Sequence, residues 1–195
     1  MVAASAVSAR SRVPMALAAA LGMLLLAACS SSAPAGASSA LRLGLTVFPP
    51  ASAPRVPSVA GKLVGGGRLS LAAYTGHVVV VNFWASWCTV CRQEAPALSA
   101  VAQRFQASGV RFVGVDAGDN AASATAFMRS HRLNYPSLFD PGDVIPLRFT
   151  KIIPIAALPS TLVISPGGHV AGRIIGAVSV RDLMKLIEIA ESRHE

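Results

Sequence analysis

The sequence predicts an α/β domain built on a mixed sheet covered by helices, and three observations predict it. Val78–Phe83 (VVVVNF) is a nearly continuous apolar, β-branched run, the pattern of a strand buried on both faces. Just beyond it, Ala95, Leu98, Val101, Ala102 and Phe105 recur at helical spacing within Cys91–Gln106. Near the C-terminus, Thr161–Ser165 and His169–Ile175 flank Pro166-Gly167-Gly168, two strands joined by a loop of three, which reads as a hairpin. Strand, helix, strand, then helix, hairpin and helix argue for one mixed sheet with helices on it.

Residues 1–28 read as an export signal. Arg10 and Arg12 are its charges, and Met15–Leu26 is a twelve-residue apolar run, within the roughly 7–15 residues of a signal core and short for a membrane span. Leu26-Ala27-Ala28-Cys29 follows, an aliphatic residue, two small ones and a cysteine. This resembles the lipobox of bacterial lipoproteins, which implies cleavage before Cys29 and lipidation of its thiol; several acyl chains anchor stably where one does not. Residues 29–55 read as a flexible tether. Ser30–Ala40 are almost all Ser, Ala, Pro and Gly, a composition that cannot bury a core. Leu41–Phe48 is more apolar and admits a short strand, and Pro49, Pro50, Pro54 and Pro57 then break regular structure. The folded domain is expected over 56–195. Within it, Arg111–Val115 (RFVGV) reads as the strand after the first helix and Ala122–His131 as a second helix. A last helix starts after Ser179, an N-cap with Asp182 three residues on, and buries Leu183, Leu186, Ile187 and Ala190.

Composition excludes several classes. Of 195 residues, 53% are hydrophobic and 13% charged, too apolar for disorder along the whole chain. No apolar stretch of about 20 residues lies outside the N-terminus, which excludes a polytopic membrane protein. The formal charge is +8, but the fourteen Arg and three Lys are scattered singly, so no nucleic-acid-binding face is expected. Cleavage before Cys29 removes two bases and no acids, leaving +6.

The three cysteines then divide. Cys29 goes to lipid, leaving Cys88 and Cys91 as a pair. Two cysteines separated by two residues on the first turn of a helix bring their sulfurs within bonding reach. The helix N-terminus carries roughly half a positive charge, which favours thiolate over thiol. Cys88, at that end, is the expected nucleophile, and Cys91, one turn in, the resolving thiol. A zinc site needs two further ligands, and His77, His131, His169 and His194 are dispersed; no metal is expected. Glu94 lies three residues past Cys91, on the same helix face. Trp84 reads as core and Trp87 as rim, where it offers apolar surface to a protein substrate.

The segment Val80–Pro96 (VVNFWASWCTVCRQEAP), with Gly76, Leu138-Phe139-Asp140 and Leu158-Pro159-Ser160-Thr161, resembles the membrane-anchored thioredoxin-like proteins of the TlpA/ResA type, over about Val56–Ala190. The resemblance implies a thioredoxin-like fold with an N-terminal hairpin and a helical insertion. It implies dithiol–disulfide exchange with protein substrates outside the cytoplasm, as a reductant in cytochrome c maturation with apocytochrome c among the substrates; the alternative direction is oxidation of exported proteins. A membrane electron donor or acceptor, a monomeric state, and no cofactor beyond the redox-active Cys88–Cys91 disulfide go with it. Pro159 matches the family's cis-proline, which presents the Leu158 backbone to substrate, and Glu94 matches the family's acid beside the site, which takes the Cys91 proton. Asn82 stands where thioredoxins proper carry a buried, titratable Asp. Two rival classes on the same fold fit less well. Peroxiredoxins place a Thr three residues before their reactive cysteine, where this chain has Ala85, and copper chaperones space their cysteines by three residues and add a His.

Overall fold

The computed structural model describes residues 44–193. The export signal, Cys29 and the Ser/Ala-rich stretch lie outside the described residues. Four strands make the centre of one six-stranded sheet: β4 (Val79–Trp84), β5 (Arg111–Ala117), β7 (Ser160–Ile164) and β8 (Val170–Ile175). β1 (Gly44–Val47) and β6 (Ser137–Asp140) are its edges, and the spatial order is β1-β8-β7-β4-β5-β6. β4–β5 and β5–β6 pair in parallel, whereas β4–β7, β7–β8 and β1–β8 are antiparallel. The mixed sheet expected from the strand–helix passage and the hairpin is therefore present. A separate two-stranded hairpin, β2 (Ala60–Lys62) and β3 (Arg68–Ser70), precedes β4. It joins the sheet edge where the Val64 N–H donates to the Ser137 carbonyl at 2.9 Å.

One boundary differs from the sequence reading. The stretch 29–55 was expected to be tether, with a short strand admitted within it, yet Gly44–Val47 is an edge strand of the main sheet, in register with Gly172–Ile175. Burial explains it. Leu45 and Phe48 each pack against a buried apolar cluster, and the Phe48 N–H donates to the Ala171 carbonyl at 2.9 Å. Two large side chains between prolines suffice to tie an edge strand down.

β4 is buried along its whole length because alternate residues serve two cores. Val79, Val81 and Phe83 face a core that includes Val115, Leu138, Phe149, Leu162 and Ile164. Val80, on the opposite face, packs with Leu98 and Val101 of α1 (Thr89–Phe105) and with Leu183, Leu186 and Ile187 of α3 (Val180–Glu191). Ser179 caps α3 as expected, its hydroxyl accepting from the Asp182 N–H at 3.1 Å. α2 (Ala121–Ser130) lies in the β5–β6 crossover and stacks Phe127 on Trp84, with ring centroids 4.5 Å apart. Gly114 makes room for that indole, since a Cβ there would sit 2.6 Å from Trp84 Nε1. Pro96 lies inside α1 without ending it. Among the described residues no helix is long and apolar enough to cross a membrane.

Candidate active site

Strand β4 leads into the loop Ala85–Trp87 and then into α1, so the fold sets the cysteine pair at a helix start beside the centre of the sheet. Cys88 is the N-cap: its backbone is extended, and its sulfur accepts from the Cys91 N–H at 3.1 Å. That N–H is one of the unpaired donors of the first helical turn, so a negative charge on Cys88 Sγ meets both a hydrogen bond and the positive end of the helix. Cys88 and Cys91 form a disulfide, with sulfurs 2.07 Å and Cα atoms 5.3 Å apart. Cys88 is 7% exposed and Cys91 1%, so Cys88 is the outer sulfur of the two. Both belong to an apolar cluster with Trp84, Ala95 and Phe127, against which the partly buried Leu158 packs.

Glu94 was placed by spacing on the Cys91 face, but spacing does not say what covers that face. The structure buries it to 4% exposure. Asn82 Nδ2 donates to Glu94 Oε1 at 2.9 Å, and the Val178 N–H donates to Glu94 Oε2 at 2.8 Å. Asn82 also donates to Thr161 Oγ1, its register partner on β7, at 3.1 Å. Burial pushes the Glu94 carboxyl up to about 7, and the hydrogen bonds from Val178 and Asn82 pull against that rise. The group therefore changes charge near neutrality, where proton transfer to and from a cysteine is useful.

Trp87 lies at the rim, 58% exposed, with its indole N–H donating to the Gly118 carbonyl at 3.3 Å. It lines one cleft together with Leu158, Ile153, Pro154 and Pro146. The Leu158–Pro159 bond is cis. The Pro159 carbonyl accepts from the Gly176 N–H at 2.9 Å, so the turn 176–178 holds Pro159 at one end and Glu94 at the other. Cys88, Cys91, Glu94, Trp87, Leu158 and Pro159 are thus gathered in one region by β4, α1 and the start of β7. Cys29 lies outside the described residues.

Thr161, Val178, Asp116 and Asp119 were not expected as site residues. Backbone donors such as Val178 N carry no sequence signal. Asp116 carries one, a charge directly after the apolar run Phe112–Val115 in β5, but the expected strand stopped at Val115.

A family model described as the AhpC/TSA family matches residues 53–173. Among curated proteins, the thiol–disulfide oxidoreductase ResA of Bacillus subtilis (strain 168) is 29% identical over 130 residues, 65% of this chain and 70% of that protein. Among solved structures, a thiol:disulfide interchange protein of the thioredoxin family from Chlorobium tepidum TLS matches with a TM-score of 0.65 at 28% identity, over 71% of this chain and 96% of that one. A secreted thiol-disulfide isomerase from Corynebacterium glutamicum shares the fold, with a TM-score of 0.71 at 22% identity over 82% and 95%.

Proposed function

This chain belongs to the AhpC/TSA family and is a thiol–disulfide oxidoreductase of thioredoxin-like fold, and we propose that it works outside the cytoplasm as a reductant of protein disulfides, with apocytochrome c as a substrate in cytochrome c maturation. The observation that carries the reading is a cysteine pair at a helix start with a buried carboxyl one turn on, held by a strand amide and a loop N–H.

In the reducing direction the Cys88 thiolate attacks one sulfur of a substrate disulfide. The substrate S–S bond breaks, a mixed disulfide with Cys88 forms, and the first substrate thiolate leaves. Cys91 gives its proton to ionised Glu94 and attacks Cys88 Sγ. The Cys88–Cys91 disulfide closes and the second substrate thiolate departs, so two electrons have passed to the substrate. A membrane-bound dithiol donor then reverses the closure. Support for the order of attack comes from the Cys91 N–H on Cys88 Sγ and from the deeper burial of Cys91. The apolar cleft lined by Trp87 and Leu158 supports the seating of a substrate segment there. Lipidation at Cys29 holds the domain on the outer side of the cell membrane, and the domain acts there as a monomer.

The test is trapping. A Cys91→Ser variant incubated with a disulfide-bonded apocytochrome peptide should accumulate a mixed disulfide at Cys88. Trapping by Cys88→Ser instead would reverse the roles, and trapping by neither would remove the exchange mechanism. Mass spectrometry of membrane-extracted protein should find acyl mass on a peptide beginning at Cys29.

A further inference from the structure

The segment that leads into Cys88 is held both by the loop after β5 and by α1. The Ser86 N–H donates to Asp119 Oδ2 at 2.7 Å, and the other oxygen of that carboxyl accepts from the Asn120 N–H at 2.9 Å. The Trp87 indole rests on the neighbouring Gly118 carbonyl. On the other side, the Ser86 carbonyl accepts from Arg92 Nε at 3.0 Å and Nη2 at 2.7 Å. The loop 118–119 after β5 therefore fixes Ser86 and Trp87, and with them the approach to Cys88.

Behind Asp119 lies Asp116, on β5 opposite Trp84 in the β4–β5 register. It is 0% exposed, and neither of its oxygens accepts a hydrogen bond from a donor among the described residues. Its hydrogen-bond neighbour is the carboxyl of Asp119. Two carboxylates offer no donor between them, so this contact holds only while one of them carries a proton. The charges that act on Asp116 are both negative, Asp119 from the loop after β5 and Asp140 from the end of β6. Beyond them Asp143 faces Asp140, Asp140 Oδ2 already accepts from the Ile145 N–H at 2.6 Å, and β4 presents Trp84 at this level. Among the described residues no set of three His, Cys, Asp or Glu side chains is placed to hold a metal ion.

We propose that Asp116 is held protonated against Asp119 and that this pair is a positioning device for the segment Ser86–Cys88. With the proton on Asp116, its O–H donates to Asp119, and Asp119 Oδ2 is steadied as the acceptor for Ser86. When the proton leaves to solvent, two adjacent buried carboxylates repel, and Asp119 loses the contact that oriented it. Its hold on Ser86 loosens, and the Trp87 indole shifts with the loop. Burial, then the charge of Asp119, its hydrogen bond, and the charge of Asp140 push Asp116 up to about 8, which sets the pH at which the device releases. It rests on the thiol–disulfide reading only for its consequence, a change in how Cys88 is presented.

Tryptophan fluorescence of the oxidised full-length protein from pH 6 to 10 tests it, because neither cysteine titrates in that form and no exchange takes place. A transition near pH 8 is expected. It should persist in Glu94→Gln and disappear in Asp116→Asn, whose amide donates to Asp119 at every pH. Carbon-13 NMR of labelled Asp carboxyls in the unaltered protein should show one group titrating near pH 8, a measurement that needs no variant. A transition unchanged in Asp116→Asn, or labelled carboxyls that are all ionised at pH 6, would overturn the proposal. Failure of substrate trapping would leave this readout untouched, so the two readings fail separately.

Discussion

Two buried carboxyls flank the cysteine pair; burial raises both, and their neighbours then act in opposite directions. Glu94, below Cys91, meets a strand amide and a loop N–H, so donors stabilise its charged form against the cost of burial. Asp116, behind the loop into Cys88, meets other carboxyls, which add to that cost. The first site is ionised part of the time near neutrality, the condition that the proposed proton acceptor has to meet. The second is stable only when protonated. The difference teaches that a raised pKa does not name a role; the neighbours that oppose or reinforce the rise do.

The comparison breaks most sharply at Glu94→Gln. A protonated or ionised carboxyl accepts at both oxygens, whereas a Gln amide turns one of them into a donor facing Asn82 Nδ2 or Val178 N. Stability should fall by about 1–3 kcal/mol, the cost of a buried unsatisfied donor. The small change that an exposed glutamate would give is therefore not expected. Disulfide exchange should slow on the order of 10–100-fold, the low end of general acid–base contributions, and its pH profile should lose the component near 7. Denaturant melts with stopped-flow exchange assays across pH measure both.

Asp116→Asn should do the reverse. A carboxyl whose pKa is raised on folding favours the folded state below its ordinary pKa and loses that advantage as pH climbs through the raised value. Wild-type stability should thus decline between about pH 4 and 8, through Glu94 up to about 7 and through Asp116 up to about 8. At pH 9 Asp116→Asn should be more stable than wild type by at least about 1 kcal/mol, because it buries no charge there. Below about pH 4, where the carboxyl is protonated in both the folded and the unfolded chain, the two should agree closely. Thermal melts at the two pH values check the sign.

The smallest effect sharpens the contrast by converting one site toward the other. Asn82→Asp replaces the donor 2.9 Å from Glu94 with an acceptor that can carry charge. The Glu94 component of the exchange pH profile should move up by about one unit, since a like charge disfavours ionisation.

Legibility in the sequence followed the same division. The buried strand Val78–Phe83, the amphipathic spacing of α1 and the Pro166-Gly167-Gly168 hairpin were readable because periodicity and turn chemistry are local. Cys88 at the helix start was readable for the same reason, and three-residue spacing placed Glu94 on the Cys91 face. Its burial was not readable, because the cover comes from Val178, 84 residues away along the chain. β1 fell in the expected tether because Leu45 and Phe48 are few and sit beside prolines. Asp116 was passed over because a charge at the end of an apolar run reads as the end of a strand, and only the packing of β5 between β4 and β6 shows that the strand goes on.

The most direct test of the central claim is the equilibrium of the Cys88–Cys91 couple against glutathione buffers at pH 7, read by mass after alkylation of free thiols. The account predicts a fully reversible two-thiol, two-electron equilibrium located at these two cysteines. Its midpoint should lie near the roughly −270 mV of reducing dithiols and far from the roughly −120 mV of strong oxidants. A disulfide that no glutathione buffer opens, or one whose midpoint lies at the oxidising end, would contradict it.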